Sequence, residues 1–127
     1  SLQHRVRRER QLPIDDAVHI IGEVVGRNCI IVDDICDTAG TLVKAAQLLT
    51  DNGATEVHAY ISHGVLSGPA VSRVNDGPLK ELVITDSIEQ PHEVATCKKI
   101  RTVSVAPLIG EAIRRIANEE SVSKLFD

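Results

Sequence analysis

The segment that most constrains this chain is an apolar run that ends in two adjacent carboxylates, Asp33 and Asp34. A loop of small residues follows, and an amphipathic helical pattern begins at Thr41. The unpaired amides of such a helix start, together with about half a positive charge from the helix dipole, favour a bound phosphate. The carboxylates would repel a phosphate and instead suit ribose hydroxyls or a metal ion. The segment therefore predicts a site for a sugar phosphate.

Composition limits both the core and the partners of the chain. The 127 residues are enough for about one domain, and 43% of them are hydrophobic but only 2% are aromatic. A core of Val, Ile, Leu and Ala favours a sheet covered by helices and argues against aromatic stacking on single-stranded nucleic acid. Four Arg and one Glu lie in residues 1–10, whereas the rest of the chain is acidic. We therefore expect no nucleic-acid partner.

The same sequence predicts neither a membrane span nor a secretory signal. The longest apolar runs are well below the roughly 18 residues that a spanning helix needs, and the basic residues 1–10 have no apolar core. Three widely spaced cysteines do not suggest a disulfide framework. We expect a cytoplasmic protein without a membrane partner.

Apolar periodicity predicts alternating strands and helices, which is typical of an α/β layered domain. We expect a three-layer, mostly parallel sheet flanked by helices. The predicted strands are Ala17–Val25, Cys29–Val32, Glu56–Ser62, Leu79–Thr85 and Ile100–Ser104, and the predicted helices are Thr41–Thr50, Ala70–Val74 and Pro107–Asn118. Ligands bind at the carboxyl ends of strands in such sheets, where Asp33, His63 and Thr85–Asp86 fall in this pattern.

Several motifs together resemble one enzyme family. The run VDDICDTAGT (32–41) resembles the phosphoribosyl pyrophosphate loop of the type I phosphoribosyltransferase fold. The segments SHGVLSGPA (62–70), EAIRRI (111–116) and NEESVSKLF (118–126) are similar to ribose-phosphate pyrophosphokinases, whose members are much longer. The resemblance implies a C-terminal phosphoribosyltransferase-like domain at 13–127, preceded by a mobile basic segment at 1–12 that belongs to a catalytic flexible loop.

The resemblance also implies a reaction and its site. The family transfers diphosphate from ATP, with Mg²⁺ as cofactor, to ribose 5-phosphate, giving phosphoribosyl pyrophosphate and AMP. In this chain Asp33 and Asp34 would hold the ribose hydroxyls. The 5-phosphate would be bound by the loop residues Asp37, Thr38, Ala39, Gly40 and Thr41. No metal ligand is expected among these 127 residues, and the chain alone is expected to be inactive.

The family's flexible loop carries a catalytic K-R-R or K-E-R pattern. Counted back from Asp33 without a gap, the Lys and the Arg two residues later fall on Arg7 and Glu9, whereas one deletion gives Arg8-Glu9-Arg10, and in both alignments the Lys is absent. We assign Arg8 and Arg10 as the catalytic cations that neutralise charge on the diphosphate. Because Arg and Lys are not interchangeable at demanding sites, a non-catalytic synthetase-associated regulatory subunit remains an alternative. A salvage phosphoribosyltransferase is a further one.

The end of the chain carries the last of the implied sites. In the family the corresponding tail contributes to a regulatory site at a subunit contact, which here would use Ser121, Ser123 and Phe126. The family also forms homo-oligomers, often hexamers. The reading from the residues alone is a plain C-terminal cap of the fold, and both readings stay open at this point.

Overall fold

A computed structural model describes residues 3–12, 15–20 and 23–126 of the chain, with side chains from residue 23 to residue 125. The strands are β1 (Gln3–Leu12), β2 (Asp15–Ile20), β3 (Asn28–Cys36), β4 (Glu56–Gly64), β5 (Glu81–Thr85) and β6 (Ile100–Val103). The helices are α1 (Gly40–Asp51), α2 (Ala70–Asp76), α3 (His92–Thr96) and α4 (Ala106–Ala117), followed by a 3₁₀ turn at Ser123–Phe126.

The six strands form one sheet in the order β2-β1-β3-β4-β5-β6. Strands β1, β3, β4, β5 and β6 run parallel, whereas β2 pairs antiparallel with β1 at one edge. The predicted α/β fold with a mostly parallel sheet flanked by helices is confirmed. Parallel strands bring their carboxyl ends to one edge, so β3, β4 and β5 all end on the same side of the molecule.

One face of the sheet forms the core. In β3 and β4 the alternate residues Cys29, Ile31, Val57 and Ala59 are buried, and Cys29 lies opposite Val57 in the register. Helix α1 covers this face with four buried side chains, namely Leu42, Ala45, Ala46 and Leu49. At about 25 cal/mol for each Å² of apolar surface removed from water, this contact is the main force that holds α1 on the sheet.

The structure corrects two boundaries near the N-terminus. Residues 3–12 form β1, where the sequence predicted no strand; whether this segment moves during catalysis stays a prediction. The predicted strand through Val25 is wrong at its end, because β2 ends at Ile20 and Val25 lies in a turn. In that turn the Arg27 amide donates to the Val24 carbonyl at 3.0 Å, and Gly26 adopts the left-handed region at φ 69°.

The interior of the chain matches the predicted pattern more closely. Helix α1 ends at Asp51, directly before the Asn52-Gly53 stop, and α4 begins with Pro107 in its first turn. Helix α3 was not predicted, since its five residues are too few for a periodic apolar pattern. No helix in the described part of the chain is long and apolar enough to cross a bilayer.

Candidate functional site

A cavity of about 330 Å³ opens where β3 passes into α1. Its lining includes the seven residues assigned to ribose 5-phosphate: Asp33, Asp34, Asp37, Thr38, Ala39, Gly40 and Thr41. Small-molecule pockets are commonly about 300–1,000 Å³, so the volume suits a compact ligand. The structure brings these residues together around one space, while their role in binding stays a prediction.

The two adjacent carboxylates lie within β3, because the strand continues to Cys36 and does not end at Val32 as predicted. Asp33 is half-buried opposite Ile61 of β4, and its Oδ1 accepts a hydrogen bond from the Asp34 amide at 2.8 Å. Asp34 is exposed. Both residues belong to the lining of the cavity.

The loop after β3 places the N-terminus of α1 at the cavity, and this helix end has no side-chain cap. The first turn of α1 contains no acidic residue. The first amides of an α-helix have no partner within the helix, so those of Gly40 and Thr41 are oriented for an anion. The hydroxyl of Thr41 adds a further donor on the same lining.

The backbone around this loop is strained. Ala39 adopts the left-handed region at φ 65°, and so does the buried Leu66 at φ 52° in the loop after β4. For a residue with a Cβ this conformation costs about 1–2 kcal/mol. Such strain persists where the surrounding structure enforces it and tends to occur at functional sites. Ala39 immediately precedes α1, where the left-handed turn directs the chain into the helix.

The loop after β4 is bonded directly to the end of β3. The amides of Val65 and Leu66 both donate to the Cys36 carbonyl, at 2.9 and 3.2 Å. The Ser67 amide donates to the Asp37 carbonyl at 3.0 Å, and the Ser67 hydroxyl donates to the Asp37 carboxylate. The cap residue of α2 is Pro69, and the Ser67 side chain is bonded to the loop after β3.

A polar cluster lies at the carboxyl ends of β4 and β5. His63 Nδ1 lies 2.8 Å from Ser87 Oγ, and Thr85 Oγ1 donates to the Ser62 carbonyl at 2.5 Å. Asp86 lies in a turn, and the hydrogen bond from the Val105 amide, with a smaller contribution from the Ser104 hydroxyl, lowers the pKa of its carboxyl. These contacts join the ends of β4 and β5 and bond the turn after β5 to the residue that precedes α4.

The remaining predicted residues fall elsewhere. Arg8 and Arg10 lie on β1, and their side chains are outside the described residues. Gln3, His4 and Arg5 pair with Asn28, Cys29 and Ile30, so β1 then continues in the direction in which β3 reaches Asp33.

The tail residues lie apart from the cavity lining. Ser121 and Ser123 are joined by a 2.9 Å hydrogen bond between their hydroxyls, and Arg115 donates to the Ser121 carbonyl at 3.1 Å. The side chain of Phe126 is outside the described residues. The two serines are thus in contact, and the regulatory role assigned to them stays a prediction.

Sequence reasoning missed one cationic side chain near the cavity. Arg73 of α2 donates from Nη1 to the Thr38 carbonyl at 3.1 Å. The contact joins residues 35 positions apart, so no local pattern indicates it. Its closeness to the loop is visible only once α2 is packed beside α1.

Comparison with known proteins agrees with this geometry. The family model described as a phosphoribosyl synthetase-associated domain matches residues 6–127. A ribose-phosphate pyrophosphokinase of Maricaulis maris is 55% identical over 121 residues, which are 95% of this chain and 39% of that protein. One of Caulobacter vibrioides is 63% identical over 112 residues, 88% of this chain and 36% of that protein.

A solved structure shows the same fold. The crystal structure of phosphoribosylpyrophosphate synthetase from Mycobacterium smegmatis matches with a TM-score of 0.75 and 32% identity, over 81% of this chain and 34% of that one. The chain therefore spans less than two-fifths of the length of each of these three proteins.

Proposed function

This chain belongs to the phosphoribosyl synthetase-associated domain family, and on that premise we propose that it forms the ribose 5-phosphate half of a synthetase active site. The observation that carries the proposal is the cavity between the paired carboxylates of β3 and the uncapped N-terminus of α1. Its two chemistries match the two ends of one ligand. A phosphate suits the amides, and a pentose suits the carboxylates.

In the proposed complex, the loop at 37–41 binds the 5-phosphate through backbone amides and the hydroxyls of Thr38 and Thr41. Asp33 and Asp34 accept hydrogen bonds from the ribose hydroxyls. This arrangement fixes the sugar at both ends, and holding reactants in one geometry is a large part of catalysis. The 1-hydroxyl is then held for attack on a nucleotide bound by another part of the enzyme.

The proposed reaction is diphosphoryl transfer. The 1-hydroxyl oxygen of ribose 5-phosphate forms a bond to the β-phosphorus of ATP and gives up its proton. The bond from that phosphorus to the bridging oxygen of the α-phosphate breaks, and AMP leaves. Arg8 and Arg10 are proposed to neutralise the charge that develops on the transferred group. The path of β1 toward the carboxyl end of β3 supports this assignment.

Mg²⁺ enters this proposal as part of the substrate. No three His, Cys, Asp or Glu side chains among the described residues are grouped as ligands for a metal ion. Magnesium is usually held by one or two carboxylates together with substrate phosphates, which fits a cation delivered with ATP.

Further properties belong to the same proposal. A chain that covers 36–39% of two related enzymes is proposed to be inactive without the remaining part. We place the complete enzyme in nucleotide biosynthesis in the cytoplasm, as a homo-oligomer and in full-length form a hexamer. Ser121, Ser123 and Phe126 are proposed to contribute to a regulatory site at a subunit contact.

One alternative has a specific observation in its favour. Arg8 stands where the family pattern has Lys, which suits a synthetase-associated subunit that binds the sugar phosphate without turnover. Release of AMP from ATP and ribose 5-phosphate, measured on a protein that also contains the rest of the relatives' length, separates the two. Pyrophosphate release on addition of purine or pyrimidine bases would instead indicate a salvage enzyme.

The half-site itself is tested by calorimetric titration of the chain with ribose 5-phosphate. Thr41→Val removes a hydroxyl from the lining, and Gly40→Val places a branched side chain at the loop. A hydrogen bond to a charged group is worth about 1.5–3 kcal/mol, so we expect Thr41→Val to raise the Kd roughly tenfold or more. Thr50→Val, in the last turn of the same helix, is the matched control. No binding by the wild type, or unchanged binding by both variants, would refute the half-site.

A further inference from the structure

The segment that contains the proposed phosphate loop is negatively charged, which opposes the binding of an anion. Residues 33–41 contain Asp33, Asp34 and Asp37 but no Lys or Arg. A phosphate monoester brings up to two further negative charges, and the dipole of α1 offers only about half a positive charge. Amide hydrogen bonds alone would therefore have to work against three nearby carboxylates. A cation from outside the segment is needed to balance them.

Among the residues with described side chains, Arg73 is a cation in contact with this loop. Its Nη1 donates to the Thr38 carbonyl at 3.1 Å, and a Cβ placed on Gly40 would lie 3.1 Å from the same nitrogen. The guanidinium thus lies against the backbone of the loop on both sides of Ala39. Among the residues with described side chains, no carboxylate is paired with Arg73, so its charge is not neutralised there.

Two local features keep this charge available to the loop. The carboxylate of Asp37 accepts a hydrogen bond from the hydroxyl of Ser67 and forms no ion pair with Arg73. Thr38 is contacted through its carbonyl and not through its side chain. Arg has five N–H donors, and the contact with Thr38 uses one of them. Nη1 lies 3.1 Å from the place that a Cβ on Gly40 would take, so the positive charge is beside the start of α1.

We propose that Arg73 is a positioning residue for the phosphate of the ligand, an inference that rests on the proposed function. Its hydrogen bond to Thr38 holds the carbonyl of the bend away from the anion, so that the following amides face the cavity. Its charge offsets the carboxylates of β3 and makes the loop receptive to a dianion. The absence of a side chain at Gly40 leaves room for the guanidinium beside the loop.

Two substitutions in the 127-residue chain distinguish the effect of the positive charge of Arg73 from that of its planar guanidinium. They are Arg73→Gln and Arg73→Lys. Ribose 5-phosphate and inorganic phosphate are both titrated, because the second carries charge but no pentose. We expect Arg73→Gln to raise the Kd of both probes about tenfold, as for a lost charge-assisted contact. Arg73→Lys keeps the charge but not the planar fork, and its Kd should rise only about threefold. Lys44→Gln removes an exposed charge of α1 that does not line the cavity, and should leave both values unchanged.

Ionic strength supplies a readout that a purely structural role would not change. Salt screens charges, so binding to the wild type and to Arg73→Lys should weaken with salt more steeply than binding to Arg73→Gln. A urea titration shows whether Arg73→Gln is still folded without denaturant. If it is not, Arg73→Lys replaces it in the test, and a Kd within about threefold of the wild-type value supports the inference.

The inference fails if Arg73→Gln binds both probes as the wild type does while Thr41→Val has lost affinity. It also fails if Lys and Gln weaken binding equally with the salt dependence of the wild type. A wild type that binds neither probe refutes the proposed function itself.

Discussion

Helices α1 and α4 have the same length and the same apolar spacing, yet they differ in what covers them. Each has twelve residues, with apolar side chains at i, i+3, i+4 and i+7. In α1 the four side chains from Leu42 to Leu49 are buried. In α4 none is buried, and Ile109, Ile113 and Ile116 are 53%, 62% and 67% exposed. Periodicity thus predicts a helix and its apolar face, but not whether this chain covers that face.

The positions of the two helices in the sheet explain the difference. Helix α1 connects the parallel neighbours β3 and β4 and therefore packs on the middle of the sheet. Helix α4 follows β6, which lies at the edge of the described sheet. On α4 the contacts are mainly polar: Glu111 pairs with Arg114 at 2.6 Å and with Arg115 at 3.0 Å. Such exposed pairs contribute little to stability.

The largest difference between the helices is expected for truncation of matched apolar residues. Leu49→Ala leaves a cavity under a fully buried side chain and should lower the free energy of unfolding by about 2–5 kcal/mol. Ile113→Ala removes a mostly exposed side chain and should change it by less than about 0.5 kcal/mol. Urea unfolding of the chain, followed by far-ultraviolet circular dichroism, measures both.

The pair of variants is its own control, since both lose an apolar side chain from the apolar stripe of a twelve-residue helix. Equal losses would contradict the difference in packing. They would mean that the exposed face of α4 is covered in solution.

The helix ends supply a smaller contrast. Both end in a Schellman motif, in which the residue after the cap is left-handed. In α1 that residue is Gly53 at φ 97°, and in α4 it is Glu119 at φ 57°. Gly53→Ala should destabilise the chain by about 1–2 kcal/mol, because the left-handed region disfavours a Cβ. That Cβ would also lie 3.2 Å from Val25.

Glu119→Gly should act in the opposite direction and raise the stability of α4 by up to about 1 kcal/mol. Thermal unfolding monitored at 222 nm would show a lower midpoint for Gly53→Ala and a higher one for Glu119→Gly. A loss in both variants would argue against the left-handed cap of α4.

The smallest expected effect is a pH dependence confined to α4. Hydrogen bonds from Arg114, and then from Arg115, lower the pKa of the Glu111 carboxyl from 4.5 to about 2. A lowered pKa means that the contribution of this carboxylate is complete above pH 4.5 and is lost as the pH falls toward 2. Helical signal should therefore fall less in Glu111→Gln than in the wild type across that interval.

Glu89→Gln, at an exposed loop position, serves as the control for this titration. An identical fall in the wild type and in Glu111→Gln would show that the Arg pairs do not stabilise α4.

The sequence was most informative where one short segment contains a whole unit of structure. Residues 32–41 include the end of a strand, a loop and a helix start, and the structure places all seven predicted ligand residues on one cavity. Local patterns suffice there because the proposed anion site and the carboxylates come from neighbours in the chain. The segment also carries the resemblance to the type I phosphoribosyltransferase fold.

The parts that were missed depend on distant contacts. Strand β1 is rich in charged residues and has no apolar run, so only its pairing with β2 and β3 explains it. The contacts of Ser67 with Asp37 and of Arg73 with Thr38 join positions that are 30 and 35 residues apart. Tertiary packing decides such pairs, and no periodicity in one sequence indicates them.

The shared carbonyl of Cys36 has a consequence for how this protein can vary. The amides of Val65 and Leu66 both donate to it, and the amide of Ser67 donates to the next carbonyl, that of Asp37. The length of the loop after β4 is therefore fixed by the position of the end of β3. Insertion or deletion of a single residue between Gly64 and Pro69 would move these amides out of register with the carbonyls that they contact. Most surface loops tolerate changes in length, but this loop is expected to tolerate neither insertions nor deletions.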